Sequence, residues 1–221
     1  MKILPHPARR REFLRRLVFT SAGLYVPGAF AEVLTQTPAQ TEGPFYPDKL
    51  PLDTDNDLLL LNNAITPAVG EVTYLSGRVL DAKGSPIRNA LVEIWQCDAK
   101  GVYIHSRDSG KKAAEQDRAF QGFGRFLTGS DGRYLFRTIK PVPYTGRTPH
   151  IHVKVRRGDK QLLTTQCYIK GHAQNAKDGI WKKATAGGSD VVSVDFAPLP
   201  GSRAGELAAT FDLVLGVTPE M

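Results

Sequence analysis

The sequence predicts an all-β fold: an antiparallel β-sandwich with long loops, an extended N-terminal arm and little helix. Short runs of β-branched and aromatic residues recur from residue 71 to the end of the chain, at the length and spacing of strands. Gly-, Pro- and Asp-containing turn signals separate them. No stretch of twelve or more residues carries apolar side chains at helical spacing, and a parallel α/β sheet needs such helices between its strands.

In chain order, residues 32–70 are rich in Pro, Thr and Asp and read as an extended arm rather than a second domain. Residues 71–221 form the sandwich, with strands expected at 72–81, 90–96, 133–139, 150–155, 162–169, 191–196 and 208–215. Lys83-Gly84-Ser85-Pro86 divides the first two, Asp131-Gly132 precedes the third, and Arg157-Gly158-Asp159 closes the fourth. Residues 111–120 have the length for two or three helical turns. Trp95 and Phe136 are expected in the core, His105 and His172 at the surface.

The 221 residues, 41% hydrophobic and 23% charged, suffice for one sizeable core or two small ones. A formal charge of +7 and a pI near 9.5 ordinarily point to nucleic acid or an anionic membrane. That charge is concentrated at the start: residues 1–31 hold Lys2, Arg9, Arg10, Arg11, Arg15 and Arg16 against Glu12, leaving +2 for the rest. The same stretch has the layout of a signal peptide, a basic region, a short apolar region and Ala29-Phe30-Ala31 as cleavage site. Arg10-Arg11-Glu12-Phe13-Leu14-Arg15 resembles the twin-arginine export signal; the alternative is a basic amphipathic helix on the folded domain. The expectation is a periplasmic or secreted protein whose mature chain begins near Glu32, with no nucleic-acid partner. No stable membrane insertion is expected either, since Leu58-Leu59-Leu60-Leu61 is far too short to span. Two cysteines make no disulfide framework, but Cys97 and Cys167 fall on expected strands and could pair in an oxidising compartment.

His150-Ile151-His152 opens an alternating run that continues Val153-Lys154-Val155. In a strand, residues i and i+2 point to one side, about 7 Å apart at Cα. Two imidazoles so placed can chelate one ion while Ile151, Val153 and Val155 face a core. Alone, an H-x-H pair does not distinguish a ligand pair from a solvated polar face. Zinc or a facial-triad iron site adds Cys, His or carboxylate, yet Asp159 sits in a turn and Cys97 and Cys167 are isolated. The polar side chains nearby are Tyr144 and Arg147, with Tyr103 further back. A phenol of pKa near 10 is ionised at neutral pH only by a strongly acidic ion, and ferric iron is one.

Several segments together resemble the intradiol ring-cleavage dioxygenases, the protocatechuate and catechol dioxygenase family. They are Leu91-Val92-Glu93-Ile94-Trp95-Gln96, Gly101-Val102-Tyr103-Ile104-His105 and Phe123-Gly124-Arg125-Phe126-Leu127-Thr128, then Gly132 to Pro141 and Arg147-Thr148-Pro149-His150-Ile151-His152. The arm segment Thr37-Pro38-Ala39-Gln40-Thr41-Glu42-Gly43-Pro44-Phe45 resembles the family's N-terminal segment. The resemblance spans residues 37–170, with the motifs in the family's order.

The resemblance implies a non-haem Fe(III), one per chain, held by Tyr103, Tyr144, His150 and His152, with Tyr144 and His152 axial and Tyr103 and His150 equatorial beside a hydroxide. It implies that Arg147 is the active-site arginine, that Gln166 lies near the substrate, and that Thr41, Gly43 and Pro44 border the substrate pocket. A catechol-type diol is then the substrate with O₂, and Tyr144 or the hydroxide accepts a proton as the diol binds. Arg147 stabilises charge developing on the ring, which opens to a cis,cis-muconate-type diacid without NAD, flavin or haem. The stretch of five residues between Tyr144 and His150 is shorter than in the protocatechuate and catechol enzymes, which implies a compact, exported branch with a more open pocket. The alternative is a non-catalytic extracellular binding module, because residues 77–92 resemble the first hairpin of transthyretin-like sandwiches. Sandwich edges that need covering leave a homo-oligomer open.

Overall fold

The computed structural model describes residues 34–61, 66–109, 112 and 114–216. The twin-arginine segment and the Ala29-Phe30-Ala31 site lie outside them. In chain order the strands are β1 (Val72–Leu80), β2 (Leu91–Trp95), β3 (Phe123–Leu127), β4 (Arg133–Ile139), β5 (His150–Arg157), β6 (Lys160–Ile169), β7 (Ser193–Val194), β8 (Ala197–Pro198), β9 (Leu207–Thr210) and β10 (Leu213–Val214). Two short helices, α1 (Ser106–Ser109) and α2 (Gly179–Ala184), and a 3-10 turn at Asn175–Lys177 complete the regular structure of the described residues.

β1 is the centre of the first sheet. It pairs antiparallel with β4, Leu75 opposite Phe136, and on its other edge runs parallel to β9 and then β10. The second sheet has the order β3-β2-β5-β6-β7, antiparallel except for the parallel β6–β7 pair. The fold is all-β as expected, but its sheets are mixed rather than purely antiparallel. The parallel pairs arise where the chain returns through long connections, and no local pattern encodes that direction.

Most expected strands are present, with instructive differences. The 208–215 run divides into β9 and β10 because the Asp212 carboxylate accepts the Arg78 backbone N–H at 2.8 Å and Tyr134 Oη donates to the Phe211 carbonyl. The run at 191–196 contracts to β7, and β3 and β8 were not among the expected strands. Helix forms at α1, while the described residues between 111 and 120 make turns. α2 arises from its N-cap, Asp178, whose Oδ1 accepts the N–H groups of Ile180 and Trp181.

Leu75, Val79 and Phe136 of the first sheet meet Val92, Ile94, Ile151, Val153 and Cys167 of the second in the main core. Six successive residues of β5 are buried, so the second sheet is covered on both faces. Ile151, Val153 and Val155 fill the core; His150, His152 and Lys154 point the other way. The arm supplies much of the second cover. Gln40 N–H donates to Thr164 O at 2.8 Å, Arg125 N–H to Thr54 O at 2.9 Å, and Leu58 N–H to Arg137 O at 2.8 Å, so the arm also closes the edges at β3 and β4.

Cys97 and Cys167 are both buried free thiols. Cys167 lies between the sheets, whereas Cys97 packs with Trp95, Tyr103 and Phe123 in a second cluster. The possible disulfide is thus corrected: the two side chains belong to different apolar layers. Among the described residues no helix is long and apolar enough to cross a membrane.

Candidate metal centre

The outer face of the second sheet gathers one residue set by strand register. Trp95 of β2 and Gln166 of β6 flank His152, and Tyr168 of β6 lies opposite His150. The Trp95 ring stacks on the His152 imidazole, centroids 4.7 Å apart and 8° from parallel. His150 Nδ1 lies 2.7 Å from the Thr148 carbonyl. A carbonyl only accepts, so Nδ1 carries the proton and Nε2 is left with its lone pair. His150 Nε2 and His152 Nε2 then converge at 3.1 Å.

Two loops bring the phenols. Tyr103 follows Asp98, whose carboxylate accepts the N–H groups of Lys100 and Val102, and its own N–H donates to Asp108 at 2.9 Å. Tyr144 opens a turn that closes on Arg147 N–H at 2.8 Å. Gly146 takes a φ of 76° at the third position of that turn, where a side chain is strained. The turn sets Tyr144 and Arg147 side by side, Arg147 Nη1 lying 3.5 Å from Tyr144 Oη. The ring centroids are 5.1 Å apart for Tyr103 and Tyr144, 5.5 Å for Tyr144 and His150, and 6.0 Å for Tyr103 and His152.

All four ligands implied by the resemblance therefore meet. His150, His152 and Tyr103 are each 1% exposed, and Tyr144 is half-buried. The solvated-surface alternative for the histidine pair does not describe this site. Arg147 donates to Asp178 at 2.7 Å through Nε and to Gln166 Oε1 at 2.6 Å through Nη2. Gln166 Nε2 in turn donates to Thr41 O at 3.0 Å. Thr41 Oγ1 accepts Gly43 N–H, and Gly43, at φ 75°, passes so close to His152 that a Cβ there would lie 3.4 Å from Cε1. Pro44 is exposed beside Phe45, whose ring stacks on Tyr103 at 4.9 Å.

Sequence reasoning missed several contributors. Trp95 is buried as expected, but it serves as the platform under His152. Phe45 closes the arm segment that carries the resemblance but has no role assigned there, and Asp178 belongs to none of the segments singled out in the sequence. His105 is a correction: expected at the surface, it is buried, with its ring edge-on to Phe45 at 5.8 Å. His172 is half-exposed, 3.4 Å from Thr148 Oγ1.

The donor set suits a hard, strongly acidic cation. Among the described residues no three His, Cys, Asp or Glu side chains gather at one point; the phenols beside the two imidazoles are those of Tyr103 and Tyr144. Tyr103 Oη is buried without a hydrogen-bond partner, an expensive arrangement that a cation bound to the phenol oxygen would offset. Burial, then the neighbouring Cys97 and Tyr144, holds the Tyr103 hydroxyl well above its ordinary range. Burial likewise raises Tyr144, with the Arg147 charge opposing. Without a cation both phenols stay protonated.

Burial, and next the Arg147 charge, pushes His150 down to about 4; His152 is lowered well below its ordinary value by burial, His150 and Arg147. Both imidazoles are neutral and ready to bind. This has a pH consequence for the metal-free protein. Below pH 6.5 the unfolded chain protonates His150 while the folded chain does not, so stability falls from about pH 6.5 to about 4. For His150 alone the loss is about 3 kcal/mol. Urea unfolding at pH 7 and pH 4.5 measures it; equal midpoints would mean that the pair is not sealed from water.

Comparison with known proteins accords with this site. Residues 41–216 match the family model described as Dioxygenase. The chain is 37% identical over 176 residues to the protocatechuate 3,4-dioxygenase beta chain of Burkholderia cepacia, covering 75% of this chain and 72% of that one. It is 28% identical over 192 residues to the hydroxyquinol 1,2-dioxygenase of Nocardioides simplex, covering 76% of this chain and 59% of that one. Among solved structures, the dioxygenase domain of a dioxygenase carbohydrate-binding protein fusion from Streptomyces sp. SirexAA-E superposes with a TM-score of 0.62 at 29% identity, over 83% of this chain and all of that domain.

Proposed function

The chain belongs to the intradiol ring-cleaving dioxygenase family, and from that premise we propose that it opens a catechol-type ring with O₂ at a ferric ion held by Tyr103, Tyr144, His150 and His152. The observation that carries the proposal is the convergence of two neutral imidazole Nε2 atoms and two tyrosines, one with an unpartnered Oη, beside a fixed guanidinium. When bound, ferric iron supplies a Lewis acid that keeps the phenols ionised and withdraws electron density from a chelated diol, making its ring reactive toward O₂.

The protein's own groups do the rest. His150 and His152 are locked, one by the Thr148 carbonyl and one by the Trp95 ring. Tyr103, sealed by Phe45, stays a fixed ligand. Tyr144, half-buried on its turn and less sealed than Tyr103, would be the ligand whose Oη is placed to take a diol proton. Arg147 keeps its charge: burial works against it, but Asp178 outweighs burial and raises it. Its Nη1 edge faces Tyr144, where negative charge develops as the ring is attacked. Gln166, Thr41, Gly43 and Pro44 form the wall contributed by β6 and the arm, and the product is a cis,cis-muconate-type diacid.

Export by the twin-arginine route is part of the same proposal, supported by Arg10-Arg11-Glu12-Phe13-Leu14-Arg15. Oxygen uptake by iron-loaded protein with catechol, protocatechuate, hydroxyquinol and substituted catechols tests the activity. We expect one O₂ consumed per diol with a ring-opened diacid. Uptake with none of them would overturn it and favour the binding-module alternative; quinone and peroxide as products would overturn it in favour of an oxidase.

A further inference from the structure

Asp178 lies twelve residues after Gln166, in the connection that follows β6, and touches none of the four proposed metal ligands in the hydrogen bonds of the described residues. It is nevertheless the most heavily used carboxylate near the site. Its Oδ2 accepts Arg147 Nε at 2.7 Å and the Thr148 backbone N–H at 3.1 Å, and its Oδ1 accepts the N–H groups of Ile180 at 2.9 Å and Trp181 at 3.1 Å. The carboxylate is 1% exposed and its guanidinium partner 17% exposed.

Each contact removes one freedom of the Tyr144–His150 loop. The Oδ1 contacts anchor the carboxylate to the first turn of α2, so it cannot follow the arginine. The Oδ2 contacts then hold the side chain of Arg147 and the main chain of Thr148 at one point. Two further bonds tie the same loop down: Thr148 Oγ1 donates to Asn175 at 2.7 Å, and Asn175 Nδ2 donates to the Ile169 carbonyl at 2.9 Å. With Nε taken by Asp178, the fork turns Nη2 to Gln166 and Nη1 to Tyr144.

We propose that Asp178 is a positioning residue for ring cleavage, fixing the Arg147 guanidinium edge-on to Tyr144 by anchoring Nε to the N-terminus of α2. This rests on the dioxygenase reading, because it assigns Asp178 its effect through Arg147.

The test compares D178N and D178S, both able to cap α2, with R147A and the double variant R147A/D178N. In the iron-loaded enzyme we expect D178N and D178S to lower kcat by about tenfold to a hundredfold, the range of outer partners that orient a reactive group, with KM little changed. In the R147A background the D178N change should add almost nothing. An independent readout uses metal-free, arginine-labelled protein by NMR. The slowly exchanging Nε–H signal that R147A removes should also be lost in D178N. Wild-type kcat in D178N, an equal loss in both backgrounds, or an unchanged Nε–H signal would each overturn the assignment. If D178N does not fold, D178S gives the same comparison. Failure of the wild type to consume any diol would sink the functional reading, while the Nε–H signal, read without metal or substrate, still decides whether Asp178 holds Arg147.

Discussion

Replacing His152 by alanine is expected to strip the metal from the protein and with it all turnover. His152 is one of the four proposed donors, and its Nε2 stands 3.1 Å from that of His150. Outer partners of a metal ligand already cost up to about a hundredfold in affinity when lost, so removal of the ligand itself costs more. The cavity left beside the Trp95 ring also has a shape that free imidazole fits, because Trp95 lies parallel to the missing ring. Metal analysis after dialysis, with and without imidazole, measures both effects. Full iron retention in His152→Ala would mean that the donors have been misassigned.

Arg147→Ala is expected to keep its iron and to bind diol, yet turn over about a hundredfold to a thousandfold more slowly, the usual loss for one preorganised donor facing a developing charge. The same change leaves Asp178 without its cation. Its carboxyl is held below its ordinary value against the cost of burial, by the Arg147 hydrogen bond and then the Trp181 and Thr148 N–H groups. The backbone donors remain, so folding survives at a cost of about 2 kcal/mol, below the range for a buried charge left wholly unpaired. Steady-state kinetics and urea unfolding separate the two effects. A variant that cannot load iron would instead make Arg147 a structural residue.

The legible parts of this protein are those where a local period meets one buried face. Ile151, Val153 and Val155 against His150, His152 and Lys154 is such a case, and strand alternation alone puts both imidazoles on one face. The four proposed donors were legible only through the family resemblance, because Tyr103 and Tyr144 reach the site on loops whose closure depends on Asp98, Asp108 and Gly146. The parallel pairing of β9 and β10 with β1 was hidden, since it depends on long connections rather than composition. β3 was missed because Phe123 to Leu127 lacks β-branched residues, and its partner β2 supplies the register. Asp178 was invisible for another reason: an N-cap and an arginine partner look alike in a sequence, and here one carboxylate is both.

The arm shows how closely the site depends on residues far from it in sequence. Glu42 pairs with Lys154 at 2.5 Å, and the same ammonium lies 3.6 Å from the Tyr46 ring centre. Lys154 is on the same strand face as His152, two residues on. The arm is thereby pinned beside the ligands, where Gly43 and Phe45 close over His152 and Tyr103.

The visible absorption spectrum of the purified protein during titration with ferric iron tests the central claim most directly, because tyrosinate bound to Fe(III) absorbs visible light and imidazole or carboxylate donors alone do not give that band. We expect a burgundy-red colour that saturates at one ferric ion per chain and changes in Tyr144→Phe. A fully iron-loaded protein without colour, or a band indifferent to Tyr144→Phe, would contradict the two-tyrosine, two-histidine site on which this account rests.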